Sequence, residues 1–236
     1  IYTMTNTLYR SDNFGSTWTT LAENIFDGDI QNAAIAENNS NIIAVSNYNQ
    51  LKISNDGGIN FTEVSQNLPN QYITDITFDP NNDNTIIVTY GSYSNNNNKI
   101  FITNNLGQSW ENITYNLGNM PIRSVVIDHT DNSAIYLGAE IGVYKKNMMD
   151  DSWELYNENL PNTTVMELEV VYGTNTLRGT TWGRGLWEYS LPDRKNYPSI
   201  LKTYISNQPT DVQPKQGIDQ FVSSLIEYDG DLGSVY

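Results

Sequence analysis

The side chains that could support nucleophilic catalysis are few in this chain of 236 residues. The sequence contains one histidine, His129, which directly follows Asp128 at the predicted end of a strand. Catalysis of the serine–histidine–aspartate kind needs a histidine within hydrogen-bond reach of the nucleophile. The position of His129 resembles that of the turn at Asp79-Pro80. A solvent-exposed turn residue is therefore the favoured interpretation, and no catalytic residue is predicted.

Carboxylates near the predicted strand ends offer a second kind of chemistry. An inverting glycoside hydrolase needs two carboxyl groups roughly 6.5–9.5 Å apart across a groove. No spacing in the sequence selects a pair among Asp29, Asp75, Glu140 and Glu167. The chain has no cysteine and one histidine, so neither a metal site nor a cofactor is predicted.

An eight-residue motif recurs along the chain and must position these side chains. It has a hydroxyl side chain first, Asp or Asn third, Gly fifth and an aromatic residue eighth. The aromatic ends follow one another by 43, 49 and 43 residues, a period typical of stacked or radially arranged units. The copies are S-D-N-F-G-S-T-W at 11–18, S-N-D-G-G-I-N-F at 54–61, T-N-N-L-G-Q-S-W at 103–110, and a degraded copy at 146–153 that keeps only Ser152 and Trp153.

The motif predicts a turn that stabilises a hairpin. The third side chain can accept hydrogen bonds from backbone N–H groups, and the glycine permits a positive φ. The aromatic ring is predicted to be buried, which removes roughly 150–250 Å² from water and stabilises by about 4–6 kcal/mol as an upper bound. Because Asn13 and Asn105 replace the acid in two copies, the turns are not predicted to bind a metal ion.

The motif resembles the Asp-box of BNR-repeat β-propellers, a group that includes sialidases, sortilin-type receptors, xyloglucanases and photosystem-assembly factors. The segment L-R-G-T-T-W-G-R-G-L-W at 177–187 also resembles the T-Y-G-R-G-L/I-W ending of such repeats in large secreted Bacteroidetes proteins of the type IX secretion route. The resemblance implies an extracellular or cell-surface propeller. It does not imply sialidase activity, because the required arginine cluster is not evident among Arg10, Arg123, Arg178, Arg184 and Arg194.

Composition agrees with an extracellular β-protein and narrows the partners. A net charge of −15 disfavours nucleic acid and anionic membrane surfaces. No apolar run approaches the ~18 residues of a spanning helix, so membrane insertion is not predicted. Glycans, extracellular proteins and other domains of the same polypeptide are the predicted partners.

The fold prediction is all-β: a β-propeller of four-stranded antiparallel blades, followed by the start of a β-sandwich. Residues 1–191 supply about four blades' worth of strands. The first blade is expected to be incomplete, and the whole to belong to a larger propeller. The proline-containing stretch 192–213 is predicted to be a linker. Residues 214–236 are predicted to begin an Ig-like or fibronectin-like domain.

One end of the blades is predicted to bind a ligand. In a four-stranded blade the motif turns lie at one end, while the second-to-third turns and the starts of the innermost strands lie at the other. Rings mixed with amides at that second end suit glycan or peptide recognition, although the alternative is that the loops are merely polar and that Trp182 fills the propeller's centre. The candidate binding residues are Tyr48, Tyr90, Arg123, Glu140, Trp182 and Arg184, with Asn47, Asn49, Asp29, Gln31, Tyr72, Thr74 and the amides of 95–98 nearby.

The predicted function is noncatalytic: binding or adhesion by a module of a large secreted or cell-surface bacterial protein. The alternative is a part of a sialidase-like or xyloglucanase-like hydrolase whose groove is completed by residues outside this chain.

Overall fold

The structure is a computed structural model that describes residues 6–93, 97–128 and 134–191. In these ranges the chain forms antiparallel sheets, each a blade of consecutive strands, and one short 3-10 helix, Tyr115–Leu117. Residues 1–5, His129, the predicted linker and the predicted β-sandwich lie outside the described residues. Blade 1 contains β1 (Thr7–Arg10) and β2 (Thr19–Glu23); blade 2 contains β3 (Asn32–Ile35), β4 (Ile43–Ser46), β5 (Leu51–Ser54) and β6 (Thr62–Glu63).

The remaining strands repeat the same plan. In blades 2, 3 and 4 each strand pairs with the next along the chain, which confirms the four-stranded blades that the repeat predicts. Blade 3 contains β7 (Ile73–Asp79), β8 (Asn82–Tyr90), β9 (Ile100–Thr103) and β10 (Glu111–Asn112); blade 4 contains β11 (Ile122–Asp128), β12 (Ala134–Ala139), β13 (Gly142–Lys146) and β14 (Glu154–Leu155); blade 5 contains β15 (Val165–Val171), β16 (Thr176–Thr181) and β17 (Gly185–Ser190).

The second strand of each inner blade is buried on both faces. β4 and β12 are buried at every residue, as is the apolar half of β8. These strands are covered by neighbouring blades on both sides. Their sequences are therefore continuous runs of buried residues, such as I-I-V-T-Y, and do not alternate between apolar and polar residues.

Side chains connect the innermost strand of each blade to that of the next. The donors and acceptors are polar residues on β3, β7 and β11, and each reaches a backbone group of the following blade. These bonds join Asn32 Nδ2 to Ile73 O (3.3 Å), Thr74 Oγ1 to Ile122 O (2.8 Å), Val125 N to Asp75 Oδ2 (2.8 Å) and Leu168 N to Ser124 Oγ (3.0 Å).

Six apolar positions recur between successive blades and form what we call an inter-blade socket. Each socket belongs to one core cluster, together with the closing aromatic of a motif. Corresponding residues follow one another by 43 and then 49 residues, the spacings of the motif aromatics. Socket 1 is Leu8, Leu21, Ile25, Ile30, Ala33 and Ile43; socket 2 is Leu51, Val64, Leu68, Ile73, Ile76 and Ile86; socket 3 is Ile100, Ile113, Leu117, Ile122, Val125 and Ile135.

The motif forms the turn that its residue types predict. In the second copy the Ser54 hydroxyl accepts the N–H of Gly58 (2.9 Å) and donates to Asp56 Oδ1 (2.8 Å). Asp56 Oδ1 in turn accepts the N–H of Asn60 (2.9 Å), and these bonds lower the pKa of Asp56 to about 2. Gly58 has a φ of 92°. The copies at 11–18 and 103–110 make the equivalent bonds with asparagine in place of aspartate.

The prediction that every closing aromatic is buried is correct for one ring, partly correct for two and wrong for the fourth. Trp153 is 3% exposed, Phe61 and Trp110 are half-buried, and Trp18 is 41% exposed. The physical reason is that the ring packs on the preceding blade. Trp110 Nε1 donates to Val64 O at 2.9 Å, across the blade boundary. Trp18 belongs to blade 1, before which the described residues contain no blade.

In the degraded fourth copy, a hydrogen-bond donor organises the turn instead of the hydroxyl and Asx acceptors of the other copies. Buried Lys146 stands where the other copies have a hydroxyl, and its Nζ donates to the carbonyl oxygens of Asn147 (2.9 Å), Met148 (3.2 Å) and Asp150 (2.8 Å). The ammonium also lies 5.6 Å from the centroid of the Trp153 ring. Burial lowers the pKa of Lys146. A lysine can therefore organise this turn when the hydroxyl, Asx and glycine residues are absent.

Candidate ligand-binding site

Strand pairing places the second-to-third turns beside the starts of the innermost strands. Ile122 at the start of β11 pairs with Ala139 at the end of β12, and Val165 at the start of β15 pairs with Thr181 at the end of β16. We call this end the candidate face. It consists of the turns at 47–50, 91–99, 140–141 and 182–184 and the adjoining strand starts, apart from 94–96.

Two tyrosines stack on the candidate face where blade 2 meets blade 3. The rings of Tyr48 and Tyr72 have centroids 5.2 Å apart and an interplanar angle of 39°. Tyr48 is 59% exposed, and its carbonyl oxygen accepts the N–H of Ile73 at 2.9 Å. The Asn47 side chain bonds within its own turn, because its Oδ1 accepts the N–H groups of Asn49 (3.2 Å) and Gln50 (2.8 Å). The turn thus fixes the backbone while leaving the Tyr48 ring accessible.

Arg123 and Glu140 form an ion pair farther along the face. Arg123 Nη2 lies 3.2 Å from Glu140 Oε2, and both side chains are partly buried. The exposed Tyr93 hydroxyl donates to Glu140, and this carboxylate raises the pKa of Tyr93. Arg123 Nε is buried without a hydrogen-bond partner. The pair is therefore a partly buried charged group beside the exposed Tyr93 ring.

Trp182 projects from the turn between β16 and β17. It is 74% exposed in the part of the chain that the structure describes. Its backbone is nonetheless fixed, since its N–H donates to Thr164 O at 2.8 Å. Thr164 Oγ1 in turn donates to Glu140 O at 3.3 Å. The exposed Arg184 lies two residues after Trp182, and its carbonyl oxygen accepts Trp187 Nε1 at 2.9 Å.

The turns of four successive blades each expose one large apolar side chain on the candidate face. These side chains are Tyr48, Tyr93, Ile141 and Trp182, which are 59%, 69%, 50% and 74% exposed. Each lies one to three residues after the end of its second strand. Tyr93 and Ile141 were not among the sequence candidates, although this offset from the strand end could have identified them.

Tyr90 does not belong to this surface, and its placement there from the sequence is wrong. Its side chain is 0% exposed, and its ring lies edge-on to Phe101 with centroids 5.9 Å apart. As the last residue of β8 it is covered by neighbouring blades. Burial raises the pKa of Tyr90, and its hydroxyl has no hydrogen-bond partner.

Two of the four candidate carboxylates approach one another on the innermost strands. Burial raises the pKa of Asp75 to about 7, and the charge of Glu167 contributes to the rise. Burial also raises the pKa of Glu167, while the Ser124 side chain acts in the opposite direction on the pKa of both carboxyl groups. However, Asp75 Oδ1 accepts the N–H of Ile76 and Oδ2 that of Val125, both at 2.8 Å. Asp75 therefore joins strands as well as carrying a titratable group.

The other two carboxylates do not form a pair. Glu140 is held by Arg123, and Asp29 is exposed in a loop of blade 2. Within 6–93, 97–128 and 134–191 there is no group of three or more His, Cys, Asp or Glu side chains that could hold a metal ion. No helix in those ranges has the length and apolar character needed to cross a bilayer.

The sequence model of the family described as sortilin, neurotensin receptor 3 matches residues 6–156, which cover blades 1 to 4. The chain belongs to the Sortilin-Vps10 family. No curated protein sequence matches this Sortilin-Vps10 chain.

Solved propeller structures resemble the chain at low sequence identity. The GH74 xyloglucanase from Xanthomonas campestris has a TM-score of 0.64 at 15% identity, over 80% of this chain and 33% of that one. The GH74 enzyme from Niastella koreensis has a TM-score of 0.59 at 18% identity, over 81% and 35%. The extracellular domain of BT4673 from B. thetaiotaomicron has a TM-score of 0.60 at 18% identity, over 79% and 24%.

These similarities establish the fold of this Sortilin-Vps10 chain, a β-propeller. The chain spans about a quarter to a third of the length of the three structures.

Proposed function

We propose that the chain is a noncatalytic propeller module of a large secreted or cell-surface bacterial protein, and that its candidate face binds a glycan or an extracellular protein. The observation that carries the proposal is the row formed by Tyr48, Tyr93, Ile141 and Trp182, one exposed apolar side chain per blade. Several large apolar side chains exposed on one face can mark a binding surface. The resemblance of 177–187 to the ending of secreted repeats supports the extracellular assignment.

The arrangement suits a ligand that offers both a flat apolar surface and polar groups. Aromatic rings lose little conformational entropy on binding, because two torsion angles define them. Trp182 and Tyr48 sit on turns whose backbone is already hydrogen-bonded, which reduces that cost further. The Arg123–Glu140 pair and Arg184 supply hydrogen-bonding groups that can orient a sugar or a peptide.

A binding measurement tests the proposal directly. A panel of bacterial and plant polysaccharides and outer-surface proteins is titrated against the chain, and the best ligand is used for variants. Trp182→Ala combined with Arg184→Ala should abolish binding, and Tyr48→Ala should weaken it by about tenfold or more. All should leave the melting temperature nearly unchanged, because the side chains are exposed. Ile59→Ala is the matched control, since Ile59 is 76% exposed on a motif turn at the opposite end.

The result that counts against a binding face is a melting temperature that collapses in the Trp182 and Arg184 variant, because these residues would then be structural. Equal loss of binding in the Ile59 control would place the ligand elsewhere. Binding by a polysaccharide and not by proteins, or the reverse, decides the ligand class.

A second candidate function is a part of a glycoside hydrolase. It is supported by the two carboxylates at Asp75 and Glu167, which interact electrostatically. The similar GH74 structures contain about three times the length that is matched here. Hydrolysis of xyloglucan that is lost in Asp75→Asn and Glu167→Gln would support this alternative. An unchanged rate in both variants would reject these carboxylates as the catalytic pair.

A further inference from the structure

The boundary between blades 4 and 5 contains a fourth set of socket positions. Five of them follow the corresponding residues of socket 3 by 43 residues, and the sixth follows by 42. They contribute to a partly open groove that Trp187 and Tyr189 also line. Socket 4 consists of Val143, Tyr156, Leu160, Val165, Leu168 and Leu177.

The three preceding sockets each receive the aromatic ring of the following blade. Phe61, Trp110 and Trp153 belong to the core clusters of sockets 1, 2 and 3. Each of these rings lies seven residues after the last residue of the third strand in its blade. The fifth blade should therefore supply a ring to socket 4 shortly after β17.

Strand pairing locates where that ring should come from. Tyr189 pairs with Leu177 in blade 5, as Lys146 pairs with Ile135 in blade 4. Trp153 follows Lys146 by seven residues, and the aromatic residue Tyr197 follows Tyr189 by eight. We propose that Tyr197 occupies socket 4, so that the residues after Leu191 continue blade 5 with a degraded copy of the turn motif.

The exit of the chain from β17 supports this occupant. Leu191 is 5% exposed and belongs to the same core cluster as socket 4. Its N–H donates to Asn175 O at 2.8 Å, so the chain is still attached to blade 5 at this point. The six residues from Leu191 to Tyr197 can span about 20 Å. Asn196 stands before Tyr197 where the other copies have a small polar residue, such as Ser109 before Trp110.

The equivalents of the residues that hold Trp153 are also present. The Asn116 side chain makes two hydrogen bonds to the backbone of Trp153. Asn116 Oδ1 accepts the Trp153 N–H at 2.8 Å, and Asn116 Nδ2 donates to the Trp153 carbonyl oxygen at 2.9 Å. Asn159 follows Asn116 by 43 residues. Tyr156 likewise matches Ile113, since each donates its N–H to the third strand of its own blade, at 2.8 Å and 3.0 Å.

Thermal unfolding of the full chain tests the proposal. Tyr197→Ala should lower the melting temperature by about 5–10 °C, as expected for a lost core ring. Tyr197→Trp should preserve it, because tryptophan fills sockets 2 and 3. Tyr204→Ala, the same change farther along the chain, is the matched control and should have no effect. In a Leu160→Ala background the effect of Tyr197→Ala should shrink, since contacting residues are not additive.

The proposal is overturned if Tyr197→Ala leaves the melting temperature unchanged, if Tyr204→Ala lowers it instead, or if the Tyr197 and Leu160 effects add fully. A cross-link provides an independent measurement. The chain has no cysteine, so Asn159→Cys with Asn196→Cys should form a disulfide readily, whereas Asn159→Cys with Ser206→Cys should not. Equal cross-linking of the two pairs, or none of the first, would mean that the segment does not dock there.

Discussion

The indole Nε1 of Trp153 donates a hydrogen bond of 2.8 Å to the backbone carbonyl oxygen of Ile113, 40 residues earlier and in the preceding blade. The motif therefore does more than close its own hairpin. Its aromatic residue links consecutive blades by filling a socket and by satisfying a backbone group that has just left the outer strand. The described blades form separate sheets, so such side-chain contacts, together with backbone bonds such as that from Ile73 N–H to Tyr48 O, hold neighbouring blades together.

The motif tryptophans should differ in how much they stabilise the fold. Trp153→Ala should reduce the free energy of unfolding by about 3–5 kcal/mol, because the ring is buried and hydrogen-bonded. Trp110→Ala should cost about 2 kcal/mol, since that ring is half-buried. Trp18→Ala should cost below about 1 kcal/mol. Urea denaturation of the three variants measures the order, and a Trp18 effect as large as that of Trp153 would contradict the inter-blade role.

The motif glycine at Gly107 should be irreplaceable for two reasons. Its φ is 79°, and an added Cβ would lie 2.6 Å from the Cβ of Val64 in the preceding blade. Gly107→Ala should cost about 2–4 kcal/mol, from backbone strain together with a clash. Gly183 has a similar φ of 78° with nothing near its Cβ position, so Gly183→Ala should cost about 1–2 kcal/mol. Equal costs in denaturant titrations would show that the blade contact is unimportant.

Asp75 should make the stability of the blades depend on pH. Its pKa rises from 3.8 to about 7 in the folded state, so folding favours the protonated acid. The stability that Asp75 contributes is present below pH 4 and is lost as the pH rises through about 7, with a slope of at most about 1.4 kcal/mol per pH unit. Asp75→Asn should remove this component between pH 4 and 7. The test is to measure the free energy of unfolding of the wild type and of Asp75→Asn at several pH values between 4 and 7 and to compare their slopes.

Asp56→Asn is the control for this measurement. The pKa of Asp56 is lowered to about 2, so its stabilising effect is lost only as the pH falls from about 4 toward 2. Asp56→Asn should therefore leave the slope between pH 4 and 7 intact. A parallel slope in wild type and Asp75→Asn would show that Asp75 does not titrate in that window.

Tyr90→Phe should be neutral or stabilising by up to about 1 kcal/mol, because it removes a buried hydroxyl that has no hydrogen-bond partner. Tyr189→Phe provides the contrast. The Tyr189 hydroxyl donates to Glu158 Oε2 at 2.8 Å, and its removal should be slightly destabilising. Thermal melts compare the two. Marked destabilisation by Tyr90→Phe would indicate a hydrogen-bonded partner for that hydroxyl.

The repeat made the blades predictable from the sequence. Blades 2, 3 and 4 each have the four antiparallel strands that the repeat predicts. The turn motif was predictable because its hydrogen bonds are local: each joins residues two to four positions apart, so residue type and spacing decide them. The apolar socket positions can also be recognised in the sequence, because they recur at the spacings of the motif aromatics.

The candidate face was predictable only in part. The end of the blades that carries it follows from strand order, and Tyr48 and Trp182 are exposed there as expected. Tyr90 and Tyr93 lie three residues apart in similar sequence surroundings, yet one is 0% and the other 69% exposed. Which of them faces solvent depends on where β8 ends and on the blade that covers it, and neither can be read from residue type.

The sequence by itself determined the blade, its turns and its period, because those depend on contacts between residues that are close along the chain. The tertiary structure decided which aromatic rings are buried, because burial requires the blade before. It also decided that the charge of Glu167 raises the pKa of Asp75, 92 residues earlier, since only the lateral packing of innermost strands brings these carboxyl groups together. Relations within a blade are local, whereas relations between blades depend on how the blades pack around the axis.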